Sequence, residues 1–168
     1  MSGDESKVGE KGQHSQGSPK ATDFYLEDLS VGQTFRTGEH RMEADEIKRF
    51  AQQFDPQVFH TDETGAAESF FGELVASGWH TGSVTMRLLV ESRWLADGFI
   101  GSRIDVTWPQ AVKPGDRLHA EGVIVDIENS KSRPERGRVT VDVRTLNQRD
   151  EVVQRMTTTL LVHRRPAR

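Results

Sequence analysis

The sequence predicts an α+β domain in which one curved antiparallel sheet wraps around a single long buried helix. Three observations carry this expectation. The chain reads as one strand, then helical spacing, then four strand-like runs separated by turn residues. The helix opening at Ser77 is apolar on most sides, as expected of a helix surrounded by other elements. Finally, 168 residues with 34% apolar content suffice for one core but not for two catalytic domains.

Residues 1–22 hold no aromatic residue and, beyond Met1 and Ala21, a single aliphatic, Val8. Such a stretch buries too little surface to offset its ordering entropy, so it is expected to be a disordered tail ahead of one domain at residues 23–168. Thr34 to Arg41 is expected to be the first strand, after the turn residues Ser30-Val31-Gly32-Gln33. Ile47, Phe50, Ala51 and Phe54 then recur at i, i+3, i+4 and i+7, with Asp45 and Glu46 in the first turn, where the helix dipole favours acids. Pro56 disfavours the helical region for Asp55, so this helix should stop at Phe54. Asp62 can cap a short helix over Glu63–Ser69, and Ser77 can cap the long helix from Gly78 to about Trp94. Strands are expected at Gly98–Trp108, Arg117–Ile127, Arg138–Leu146 and Val152–His163, joined by segments rich in Pro, Gly, Asn and Asp.

Composition removes several kinds of chemistry. The chain has no cysteine, which excludes disulfides, thiolate nucleophiles and cysteine metal sites, and is compatible with a reducing, cytoplasmic setting. The 22 basic and 26 acidic residues give a net charge of −4, with no electrostatic case for nucleic acid or an anionic membrane. No window approaches the roughly 18 apolar residues of a membrane span. His60 and Asp62 could supply two metal ligands but lack a third, so no metal is expected.

Two features could carry chemistry. Asp55 and His60 put a carboxylate and an imidazole five residues apart on a loop leaving a helix, and both groups move protons. The negative end of the helix dipole beside Asp55 would raise its pKa. Gly78 opens the long helix, where unpaired backbone N–H groups can bind a polarised carbonyl and glycine lets a ligand approach. From spacing alone a structural reading stays open: Asp55 as a turn former, His60 as a packed ring, Gly78 as a close-packing position. His80 could reach the same cleft or be a hydrogen-bonded core histidine. The basic cluster Lys131, Arg133, Arg136 and Arg138 could meet the phosphates of a coenzyme or be a solvated hairpin.

Taken together, Asp55, His60 and Gly78 resemble the signature of the MaoC-like dehydratases, including the (R)-specific enoyl-CoA hydratases. Pro109, Val112-Lys113-Pro114-Gly115-Asp116, Ser132-Arg133-Pro134 with Gly137, and the closing Val162-His163-Arg164-Arg165-Pro166 also resemble that family, over about residues 24–166. The resemblance implies a hot-dog fold, paired as a homodimer or a dimer of dimers. It implies reversible hydration of a trans-2-enoyl-CoA without a cofactor, the coenzyme A thioester being the substrate. Asp55 and His60 would hold one water for attack at C3 and proton delivery to C2, and the Gly78 N–H would bind the thioester oxygen. The chain departs from the family wording at Gln57-Val58, where Asn-Pro is commoner, and at Ser77, where many relatives carry His. Alternative expectations are a hot-dog acyl-CoA thioesterase and a non-catalytic acyl-thioester binding module.

Overall fold

The structure, a computed structural model, describes residues 24–96, 98 and 100–166. The tail expected at 1–22 lies outside the described residues. The elements run β1 (Thr34–Arg41), α1 (Ala44–Phe54), α2 (Val58–Thr61), α3 (Glu63–Ala67), α4 (Gly78–Glu91), β2 (Ile100–Thr107), β3 (Arg117–Asn129), β4 (Arg136–Leu146) and β5 (Val152–His163). The strands form one five-stranded sheet in the order β1-β3-β4-β5-β2, every neighbour antiparallel. This is the expected curved sheet over one long helix, and it has the hot-dog arrangement.

Alternation along the strands decides which face meets the helix. Leu118, Ala120 and Ile124 of β3, with Val139, Val141 and Val143 of β4, point inward and are almost fully buried. The α4 residues Val84 and Leu88 join Leu118 and Val153 in one apolar cluster, while Leu89 joins Ala120, Val141 and Leu160 in another. Each such Val, Leu or Ile side chain removed from water contributes about 1.5–3 kcal/mol before entropic costs. Gly122 interrupts the inner row of β3 because Phe35 from β1 lies over it; a Cβ there would come within 2.2 Å of the Phe35 ring, which itself stacks on Trp94 at 4.4 Å.

Several expectations are corrected. Helix α4 ends at Glu91, not near Trp94: Ser92 caps it and Arg93 turns the chain at φ 48°. The same helix is buried on one face only. Trp79 (63% exposed), Met86 and Val90 recur at helical spacing on its open face, because the described residues supply a sheet for one side of α4 and no layer for the other. Phe54, expected on the buried face of α1, is 68% exposed; it lies at the last turn, beyond the contacts that bury Ile47 and Ala51. α3 ends at Ala67, two residues early, where Ser69 turns its hydroxyl onto the Ala66 carbonyl at 2.7 Å. Residues 58–61, read as loop, form the single-turn helix α2.

The helices α1–α3 are tied to the sheet by backbone. Met42 N–H donates to Asp116 at 2.8 Å and Gly115 N–H to Met42 at 2.7 Å, fastening the start of α1 to the turn before β3. Ala76 N–H donates to Val112 at 2.8 Å and Val75 N–H to Phe59 at 3.1 Å. The strap that enters α4 is thereby held between α2 and the β2–β3 connection, and this fixes the site.

Candidate active site

Helix α1 stops where Pro56 requires it to, with Asp55 as the C-cap at φ −154°, ψ 69°, its N–H donating to Ala51 at 2.9 Å. The carboxylate is turned toward the start of α4. There Ser77 caps α4, accepting from the Trp79 N–H at 3.2 Å, and its hydroxyl donates to Asp55 Oδ2 at 2.6 Å. Gln57 Nε2 donates to Asp55 Oδ1 at 2.8 Å. One donor thus holds each carboxylate oxygen. The Ser77 hydroxyl is the main cause of an Asp55 pKa below the ordinary carboxylate value; burial opposes it, and Gln57 and His60 add to the lowering. The expectation that the helix dipole raises this pKa is therefore overturned by two side-chain donors close at hand.

His60 is 5% exposed on α2, not on an open loop. Its Nδ1 lies 2.7 Å from the Val75 carbonyl. A carbonyl only accepts, so Nδ1 carries the proton and Nε2 faces Asp55. His60 Nε2 and Asp55 Oδ2 stand 3.5 Å apart, and a water oxygen about 2.8 Å from each would subtend ~77° between them, a tight but open bridging geometry.

Gly78 is the first residue of α4, and none of the described residues accepts from its N–H. It shares a cavity of about 350 Å³ with Asp55 and His60, walled by Phe59, Phe71, Val75, Trp79, Trp108 and Val112. A larger residue would not fit at Gly78: a Cβ there would lie 2.7–3.0 Å from three atoms of the Trp108 ring. Gly78 is thus closely packed on one side, and its N–H is without an acceptor among the described residues.

The structure brings Asp55, His60 and Gly78 together and leaves the other candidates outside. His80, 3% exposed, turns away from the cavity to α1, where its ring stacks on Phe50 at 4.6 Å and its Nε2 lies 3.4 Å from Glu46. Burial lowers its pKa, with Glu46 opposing. The basic cluster lies on the β3–β4 hairpin, at the opposite end of β4 from Thr145, which pairs with Gln154 next to the site. Arg138 there is engaged by Glu128 at 3.1 Å. Sequence reasoning missed Ser77 and Gln57 as partners of Asp55, although both are the positions at which the wording departs from its relatives. It also missed Gln154, which carries no local signal.

A family model described as MaoC like domain matches residues 28–147. This chain belongs to the MaoC-like family. A MaoC-like dehydratase from Rhodospirillum rubrum is 54% identical in sequence, superimposes with a TM-score of 0.83, and the match covers 86% of this chain and 99% of that one. The uncharacterized protein YdeM of Bacillus subtilis is 32% identical over 127 residues, 74% of this chain and 89% of YdeM. The R-hydratase PhaJ1 of Pseudomonas aeruginosa, at 22% identity, shares the fold with a TM-score of 0.68 over 85% of this chain and 88% of its own. Among the described residues of this MaoC-like protein, no helix is long and apolar enough to cross a membrane.

Proposed function

We propose that this protein is a hydro-lyase that adds water reversibly across the trans-2 double bond of an acyl-CoA thioester to give the 3-hydroxyacyl-CoA. One observation carries the reading: a carboxylate held ionised and a histidine Nε2 face each other at 3.5 Å, in the same cavity as an unclaimed backbone N–H. Membership of the MaoC-like family supports it.

The chemistry follows from the donors and acceptors. The thioester oxygen accepts from the Gly78 N–H at the start of α4, which stabilises the enolate oxygen as C3 is attacked. Asp55, kept ionised by Ser77 and Gln57, is a weak base and serves to orient the water and to stabilise a charged imidazole. His60 Nε2 takes one water proton as the oxygen bonds to C3, then returns that proton to C2 as the enolate collapses. Hydroxide at C3 and proton at C2 balance the addition of one water. Acid/base chemistry of this kind draws on no metal or redox group. The thioester arm accepts either coenzyme A or a carrier, and CoA is the substrate we assign.

A homodimer is part of the same proposal. β2 is an edge strand with Ile100 and Ile104 exposed, and the open face of α4 carries Trp79, Met86 and Val90. An unpaired edge next to an apolar helix face fits a second copy of this chain. A cysteine-free chain is compatible with a reducing compartment, and the cytoplasm is the one we propose.

The test is loss of enoyl absorbance with crotonyl-CoA, run beside a thiol reagent. Absorbance loss without thiol supports hydration; released thiol without hydration supports a thioesterase; saturable binding without either product supports a binding module.

A further inference from the structure

Trp108 follows the last residue of β2 and is one of two tryptophans in the cavity wall, with its ring edge-on to Trp79 at 5.2 Å. Its position is fixed from two sides. The ring lies over the Cα of Gly78, and its Nε1–H donates to Gln154 Oε1 at 2.8 Å. An indole N–H only donates, which sets the orientation of the Gln154 amide. Gln154 on β5 is 0% exposed, and its Nε2 has no acceptor among the described residues.

Gly78 and Gly82 sit one turn apart on α4, leaving a shallow groove along the helix. The Trp108 ring fills it at Gly78. At Gly82 the Gln154 amide lies alongside it: a Cβ there would stand 3.5 Å from Gln154 Oε1, an ordinary contact distance. Trp108 lines the cavity and Gln154 does not, so the indole stands between the open volume and the rest of the groove. Thr81, on the turn of α4 after Gly78, also lines the cavity, whereas the buried Thr85 and Val153 do not. The open volume, about 350 Å³, is near the lower end of the ~300–1,000 Å³ range of small-molecule sites, and the thioester itself takes part of it.

We propose that Trp108, anchored by Gln154, closes the acyl end of the cavity and makes this protein selective for short-chain acyl thioesters. The inference rests on the hydratase reading above and adds the substrate class to it. Trp108 would touch the end of the acyl chain; Gln154 is a positioning residue that acts through Trp108.

The experiment compares kcat/KM for crotonyl-CoA and trans-2-octenoyl-CoA in the full chain, wild type against Trp108→Val, Trp108→Phe and Gln154→Leu. Wild type is expected to favour the four-carbon substrate. Trp108→Val should shift the ratio at least tenfold toward octenoyl-CoA, Gln154→Leu should shift it in the same direction by less, and Trp108→Phe should hold it. Equal use of both substrates by wild type, or an unchanged ratio in the valine variant, overturns the proposal while leaving hydration intact. Should the valine variant fail to fold, an unchanged ratio in the leucine variant overturns it equally. Equilibrium binding of saturated butyryl-CoA and octanoyl-CoA to the same proteins needs no turnover. A tenfold relative gain for octanoyl-CoA in Trp108→Val supports the acyl stop even if no enoyl-CoA is hydrated, and no gain overturns it.

Discussion

Replacing Ser77 by alanine should affect folding and acid sensitivity together, because one hydroxyl does two things. It donates to Asp55 Oδ2 at 2.6 Å and caps α4 by accepting from Trp79 N–H at 3.2 Å. A hydrogen bond to a charged group contributes about 1.5–3 kcal/mol, and an N-cap about 0.5–2 kcal/mol. The variant should therefore lose on the order of 3 kcal/mol at neutral pH, a Tm drop of roughly 6–12 °C for a domain of this size. Asp55's folded pKa lies below its unfolded value, with Ser77 the leading cause. The carboxylate's share of stability is thus complete above the ordinary carboxylate range, about pH 4, and disappears as the pH falls through the lower folded pKa. Urea melts of wild type and Ser77→Ala from pH 7 to pH 3 would show the gap between them narrowing toward the acid end, with the cap contribution retained throughout. A gap that keeps its size across that window, or is missing at pH 7, would refute the assignment of Ser77 as the group that holds Asp55 ionised.

Two further outcomes follow from the same geometry. Gly78→Ala sets a methyl against the Trp108 ring, so about 1–3 kcal/mol of overpacking should outweigh the roughly 1 kcal/mol helix gain; calorimetry should show a lower Tm, and crotonyl-CoA turnover should fall because the N–H it displaces is the one facing the cavity. Ile104→Glu puts a charge on the exposed edge strand β2; sedimentation should show the proposed dimer in wild type and a monomer in the variant, and a dimer unchanged by the substitution would move the interface elsewhere.

How far the sequence carries the structure depends on whether a residue's role is local. The five strands were legible because Pro, Gly and Asn punctuate them; Thr34–Arg41 and Val152–His163 are found where the pattern puts them, whereas β2 is shorter than the expected Gly98–Trp108, and β3 and β4 run on past the expected Ile127 and before the expected Arg138 because they pair with each other up to Asn129 and Gly137. The end of α1 was legible from Pro56 alone. The one-sided burial of α4 was not, because an apolar helix reads the same whether its second face meets this chain or another copy. At the site, the pairing of Asp55 with His60 was foreshadowed by spacing, but the electrostatics were inverted. Ser77 is 22 residues from Asp55 in sequence, and a helix-dipole argument sees only the local backbone. Gln154 is further still from Trp108, 46 residues along the chain, and only folding brings them together.

The central claim is that Asp55 and His60 share one water. The most direct measurement is crotonyl-CoA hydration, followed as loss of enoyl absorbance, in wild type, Asp55→Ala and His60→Ala, with circular dichroism confirming the fold of each. Acid/base groups contribute about 10²–10⁴ each, so either variant should lose kcat by that order. Hydration at the wild-type rate in either variant would contradict the account.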